Sequence, residues 1–188
     1  MKVLVVSSDS AENALFTEDI FVRVVSGVGK ENALAHTILN CTEDVDLILN
    51  VGTCGAKKGS ADIFDVVCVK RVINRDADLT QFHLPQYTTL DSKRGTMGPI
   101  NISDEGLTIA SSDSFASTVI EESELYDMEA YGVALAAKCL KKDLIIIKGV
   151  SDIIGESLKI KDYRKLLKEL AVKIHERALS EVLRRSES

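Results

Sequence analysis

The sequence predicts an α/β protein, a three-layer α/β/α sandwich around a central mixed, mostly parallel β-sheet. Two observations carry that expectation. Short β-branched runs such as VLVV (3–6) and DLIIIKGV (143–150) alternate with stretches of helical periodicity. The best of these runs is apolar at successive positions, as expected of a strand covered on both faces in a parallel sheet. At 188 residues the chain fits one domain, 1–188, with a sizeable core.

The elements follow in order. VLVV (3–6) is a first strand, and a short helix is expected from Ser10 to Phe16. IFVRVVSG (20–27) is a second strand that ends in GVGK, and ENALAHTILN continues as a helix. DLILNVG (46–52) is a third strand with TCGAKKGSA as a glycine-rich loop behind it, and DVVCVKRVI (65–73) is a long strand. From Arg75 to about Asn101 the pattern dissolves around Pro85, Gly95, Gly98 and Pro99. So long an irregular stretch inside a compact domain usually serves as a functional or interface loop. LTIASSD (107–113) resumes as a strand, MEAYGVALAAKCL (128–140) is a helix, and DLIIIKGV is a strand. A charged amphipathic helix from Asp162 to Arg184 closes the chain.

Composition narrows the classes. The net charge of −6 argues against a nucleic acid polymer as partner, because such a surface needs a basic face. No segment has the length of a membrane span, and the first apolar run is too short for a signal peptide. Cys41, Cys54, Cys68 and Cys139 are scattered, with no Cys-x-x-Cys pair and no His at metal-ligand spacing. Reduced thiols, no metal and a cytoplasmic location are the expectations.

Four strands end in small or polar residues: VVSSD, VVSGVGK, LNVGTCGA and KGVSD. Small residues let a ligand approach the backbone, and amides or helix N-termini supply donors. One glycine merely turns a chain; agreement among four strand ends suggests a shared crevice. GVGK itself matches neither phosphate-binding pattern. Asn32 stands where the dinucleotide fingerprint needs its third Gly, and Lys30 is followed by Glu31 rather than Ser or Thr. Among the carboxylates, Glu129 at a helix start is explained equally well by the helix dipole or by a ligand. Asp152, after a buried strand, either starts a turn or does chemistry. Glu12 by itself reads as a solvated residue. Phe115 reads as core or as a stacking platform for a heterocycle. His36, His83 and His175 read as packing or surface residues.

Taken together and in order, GVGKENA, NVGTCGA, VCVKRVINRDADLTQF, ASSDSF, DMEAYGVA and KGVSD resemble the purine nucleoside phosphorylase and nucleosidase superfamily, and most of all its 5′-methylthioadenosine/S-adenosylhomocysteine nucleosidase branch. The resemblance extends from Met1 to about Glu156. It implies cleavage of an N-glycosidic bond of a purine nucleoside, with no cofactor. Asp152 then protonates the imidazole-ring nitrogen of the base, and Glu129 holds the ribose hydroxyls with Met128 against the sugar. Phe115 stacks on the base, and Glu12 activates water. Thr53, Gly52, Ser151, and Val28 of the Gly27–Gly29 turn would complete the substrate site. A homodimer or higher homo-oligomer is implied too, with a loop such as Leu79–Pro85 closing the pocket of a second copy.

Phosphorylases of this superfamily place an arginine just before the Val-Gly-Ser/Thr segment, where this chain has Asn50. That favours water over phosphate. The rival readings are a phosphorylase that recruits Arg75, or Arg23 from a second copy, and a nucleoside-binding protein without catalysis. The chain departs from the family in the shortened stretch between Leu15 and Ile20, in a trimmed region between Thr80 and Gly106, and in Ser112, where a Gly is usual.

Overall fold

The computed structural model describes residues 1–93, 95–156 and 160–186. In chain order the elements are β1 (Val3–Ser7), β2 (Phe21–Val25), α1 (Lys30–Asn40), β3 (Leu47–Ala56) and β4 (Val66–Asn74). Then come β5 (Thr89–Asp91), β6 (Gly95–Met97), β7 (Ile100–Asn101), β8 (Leu107–Ser111) and β9 (Leu125–Asp127). The helices α2 (Ala130–Leu140) and α3 (Ile160–Ser186) flank β10 (Asp143–Ile153).

The main sheet is mixed and mostly parallel. β1 pairs in parallel with β2 and β3, β3 with β10, and β4 and β9 each with β8. The pairs β10–β4 and β3–β9 are antiparallel. Because β3 bonds both β10 and β9, the strands β3, β10, β4, β8 and β9 close a ring, and β1 and β2 extend from it. A sheet that twists this strongly can curl back on itself.

Side chains alternate across the sheet as the strand period dictates. Val3 and Val5 of β1, with Leu49 and Ile147, pack under Leu170, Ile174 and Ala178 of α3. Leu4 and Val6, with Ile48 and Ile146, join Ala33 of α1 and Val133 and Ala134 of α2 on the other side. Three layers result. Among the described residues no helix is long and apolar enough to cross a membrane.

Three expectations need correction. Residues 10–16 form turns, not a helix. Their polar side chains capture backbone groups locally: Ala11 N donates to Asp9 Oδ1 (2.7 Å) and Ser7 Oγ to Asp9 O (2.8 Å), which competes with helix formation. The segment is pinned by Asn13 Nδ2, which donates to Val24 O (3.2 Å), and by Phe16, edge-on to Phe21 and His175. Second, the glycine-rich TCGA is strand, since β3 runs on to Ala56 beside β10. Third, the stretch from Arg75 to Asn101 holds a short 3-10 turn (Thr80–Phe82), the β5–β6 hairpin, and β7, which pairs with β4.

Candidate active site

The C-terminal ends of β1, β3 and β10 and the loop after β2 converge, where open parallel sheets place their ligands. There they enclose a cavity of about 170 Å³. Ser8, Val28, and Thr53 to Gly55 form one side; Phe115, Ala116 and Tyr126 to Glu129 form another, and Ser151, Asp152 and Ile154 close it. A larger cleft of about 510 Å³ opens at the other end of β10, beside Leu144–Ile146. Its Arg177 and Arg184 are already paired with Glu181, so its charges serve one another.

Asp152 lies within β10, not after it. The β3–β10 register slips between Val150 and Asp152, so Ser151 is an extra residue and the carboxylate is re-aimed. Gly55 makes the opposing room: a Cβ there would stand 2.5 Å from Ile154 Cδ1 and 3.0 Å from Asp152 Oδ2. Ser151 Oγ lies 2.7 Å from Asp152 Oδ1 and donates to it, leaving Oδ2 uncommitted to Ser151. Asp152 itself is buried.

Glu12 stands one layer behind the cavity wall. Its Oε2 accepts from Ser8 N (3.1 Å), Ser8 Oγ (2.9 Å) and Asp9 N (3.2 Å). Its Oε1 accepts from Thr53 N (3.0 Å) and Thr53 Oγ1 (3.4 Å). Two of these donors are hydroxyls of residues that line the cavity, so the carboxylate reaches the cavity through Ser8 and Thr53.

Glu129 opens α2 and accepts from Gly29 N at 3.1 Å. Gly29 has φ +105°, a conformation a side chain would strain, and this turn aims its amide at the carboxylate. Burial, reinforced by the nearby Asp127, pushes the Glu129 carboxyl up to about 7 against the opposing pull of Lys148. Asp127 is held on every side. It pairs with Lys148 Nζ at 2.9 Å, both side chains 1% exposed, and accepts from Ser111 Oγ (2.6 Å) and Ala130 N (2.9 Å). Ser111 Oγ in turn accepts from Tyr131 N (2.9 Å), so the pair fixes the start of α2 and with it Met128 and Glu129.

Phe115 is 71% exposed, which makes it a free aromatic face at the cavity and not core. Burial holds the Cys54 thiol far above its ordinary value, so it lines the cavity as a neutral group. Asn50 is buried beneath, its Nδ2 donating to Val6 O at 3.0 Å. Arg75 is engaged elsewhere, bonding Thr118 and lying over the Tyr126 ring. Among the described residues no guanidinium or ammonium group lines the cavity. Nor does any group of three His, Cys, Asp or Glu side chains form a metal cage among them.

Comparison with known proteins agrees with this architecture. The family model of the phosphorylase superfamily matches residues 15–184. The chain belongs to that superfamily. Among curated members it is similar to the 5′-methylthioadenosine/S-adenosylhomocysteine nucleosidase of Bacillus subtilis (strain 168), 29% identical over 192 residues, covering 89% of this chain and 82% of the relative. Among solved superfamily structures, a putative nucleosidase of the same kind from Borrelia burgdorferi, bound to adenine, superposes with a TM-score of 0.79 at 18% identity, covering 97% and 99% of the two chains. The Helicobacter pylori nucleosidase, with butyl-thio-DADMe-Immucillin-A, gives a TM-score of 0.79 at 17% identity, covering 96% and 98%. The shared fold is that of the nucleoside phosphorylases and hydrolases.

The residues singled out in the sequence therefore meet in one place. Val28, Thr53, Phe115, Met128, Glu129, Ser151 and Asp152 line the cavity, with Glu12 and Gly52 directly behind Thr53. Sequence reasoning missed Tyr126, Ile154 and the Lys148–Asp127 pair. Lys148 carried a signal: a lysine between Ile147 and Gly149 in a buried strand needs a carboxylate, and Asp127 in LYD is that partner.

Proposed function

We propose that this chain is a purine nucleosidase, an N-ribosyl hydrolase acting on methylthioadenosine, S-adenosylhomocysteine or a related nucleoside. The observation that carries the reading is that no guanidinium or ammonium group among the described residues lines the cavity, while Glu129 and Asp152 line it and Glu12 backs it. Such a site offers a phosphate dianion none of the cationic partners it would need. It suits a sugar that becomes positively charged. The named nucleosidases among its relatives support the same substrate class.

The residues divide the work. Asp152 donates a proton to the imidazole-ring nitrogen of the base, so the base departs neutral as its bond to the sugar carbon breaks. Phe115 presents its ring to the heterocycle. The ribosyl group is left with oxocarbenium character, as in glycoside hydrolysis, and Glu129 holds its hydroxyls while its charge offsets the developing cation. Water then adds to that carbon. Its proton passes to Glu12, directly or through the Ser8 or Thr53 hydroxyl. Met128 and Val28 shape the sugar side, and Gly52 leaves room for Glu12. The chain works as a homodimer or higher homo-oligomer on this reading, a state that light scattering on the purified protein would report.

The test is product analysis on methylthioadenosine, S-adenosylhomocysteine, adenosine, inosine and futalosine, each with and without phosphate. Free base and free sugar at the same rate in both conditions are expected. Release that requires phosphate and yields the sugar 1-phosphate would make the chain a phosphorylase; binding without release would leave a nucleoside-binding protein.

A further inference from the structure

The lysine of GVGK matched no phosphate-binding pattern, and the structure gives it another occupation. Lys30 is the first residue of α1, yet only 8% of it is exposed. Its ammonium pairs with Asp76, with Asp113 Oδ2 at 3.0 Å, and with Asn74 Oδ1 at 3.1 Å. Its backbone amide donates to the other Asp113 oxygen at 3.0 Å, and Asp113 N donates to Asp76 Oδ2 at 2.9 Å. One side chain thus joins the loop after β4, the loop after β8 and the turn before α1.

Two of those segments are opposite walls of the cavity. The turn before α1 carries Gly29, whose amide holds Glu129 on the sugar side. The loop after β8 carries Phe115, two residues beyond Asp113, on the base side. That loop has no regular structure from Ser112 to Glu122, and Phe115 itself is mostly exposed. Beyond Phe115 the loop is held by Ala116 and Ile120, which pack against Ile73, Ala110 and Tyr126, and by Arg75, which bonds Thr118. On the side before Phe115 it is held by the charge cluster at Asp113.

We propose that Lys30, through Asp113 and Asp76, is a positioning residue that fixes the distance between the base platform at Phe115 and the ribose anchor at Glu129. A buried ammonium suits the task, since it satisfies acceptors from two segments at once while standing on a third, and releasing either carboxylate leaves charge less well compensated. It touches no substrate. Its loss therefore weakens capture of the nucleoside more than it slows the bond-breaking step. The activity arm of the test rests on the nucleosidase reading; the tether itself does not.

The chain contains no Trp, so Phe115→Trp installs a single fluorescent reporter on the loop. In that background Lys30→Met should lower the anisotropy of the reporter indole clearly, while Lys30→Arg, which keeps a cation within reach of both carboxylates, should restore much of it. With Phe115 intact, Lys30→Met should raise KM about tenfold and change kcat less than about threefold, the split expected of lost positioning. Should Lys30→Met not fold, Asp113→Asn leaves the lysine paired with Asp76 and loosens only the loop; the same readouts apply. Unchanged anisotropy and unchanged KM in a folded variant would overturn the proposal, as would a fall in kcat with KM constant. Absence of turnover in the parent protein would sink the nucleosidase reading alone, because the anisotropy arm would still decide the tether.

Discussion

Glu12 and Gly52 are fitted to each other: a Cβ on Gly52 would stand 3.0 Å from Glu12 Oε1 and 3.2 Å from Oε2. The bare α-carbon lets the carboxylate lie flat against β3 and take the Thr53 amide. Gly52→Ala should therefore displace Glu12 without touching it chemically. We expect kcat to fall about 100-fold, approaching the effect of Glu12→Gln, because general-base assistance is of that order. Comparing kcat of the two variants on one nucleoside checks this; full activity in Gly52→Ala would mean that water is activated elsewhere.

Asp152 and Ser151 should separate in kinetics. Asp152→Asn keeps the shape of the bulge and removes the proton, so kcat should drop by about 100-fold to 10,000-fold while KM stays within a few-fold. Ser151→Ala removes the 2.7 Å hydrogen bond to Asp152 Oδ1 and should cost about tenfold, by loss of orientation alone. Equal losses from both would give Ser151 a share in the chemistry.

The limits of the sequence follow from where each constraint is stored. The buried runs of β1, β3 and β10 were legible because parallel strands covered on both faces are written as uninterrupted apolar stretches. α1, α2 and α3 were legible from their period. Residues 10–16 misled, because AENALF has helical spacing while Asp9 and Asn13 spend their side chains on the backbone. The ends of β3 and β10 misled for a related reason. Gly55 and Ser151 look like loop residues, and only the bulge between the two strands explains them. Glu12, Glu129 and Asp152 were each ambiguous singly. Their meeting depends on the ring closing through β9, a three-residue strand too short to show any period.

The Lys148–Asp127 pair predicts a stability effect distinct from any catalytic one. Lys148→Met would leave Asp127 charged and unpaired at 1% exposure, which typically costs about 3–5 kcal/mol. Adding Asp127→Asn should recover part of that loss, since the amide oxygen can still accept from Ala130 N. Urea unfolding of the single and double variants measures both. A single-variant cost below about 1 kcal/mol would show that the pair is not ionised in the folded protein.

Glu129 sets stability and activity in opposition. Its carboxyl titrates at about 7 in the folded chain against 4.5 as the ordinary value, with burial as the main cause. Between those values the folded state holds a proton that the unfolded state has released, so this group's contribution falls as pH rises and is fully lost above about 7. The loss approaches about 3 kcal/mol at most. Glu129→Gln, which never ionises, should therefore match the parent near pH 4.5 and exceed it at pH 8. Activity should move the other way, because the ionised carboxylate is the form that faces a developing sugar cation. The ionisation of Glu129 should give kcat/KM a rising limb centred near pH 7, and Glu129→Gln should lose that limb along with most of its rate. A parent whose unfolding free energy and kcat/KM both rise with pH across this window would refute the buried, protonated carboxyl. A limb that survives in Glu129→Gln would transfer the titration to another group.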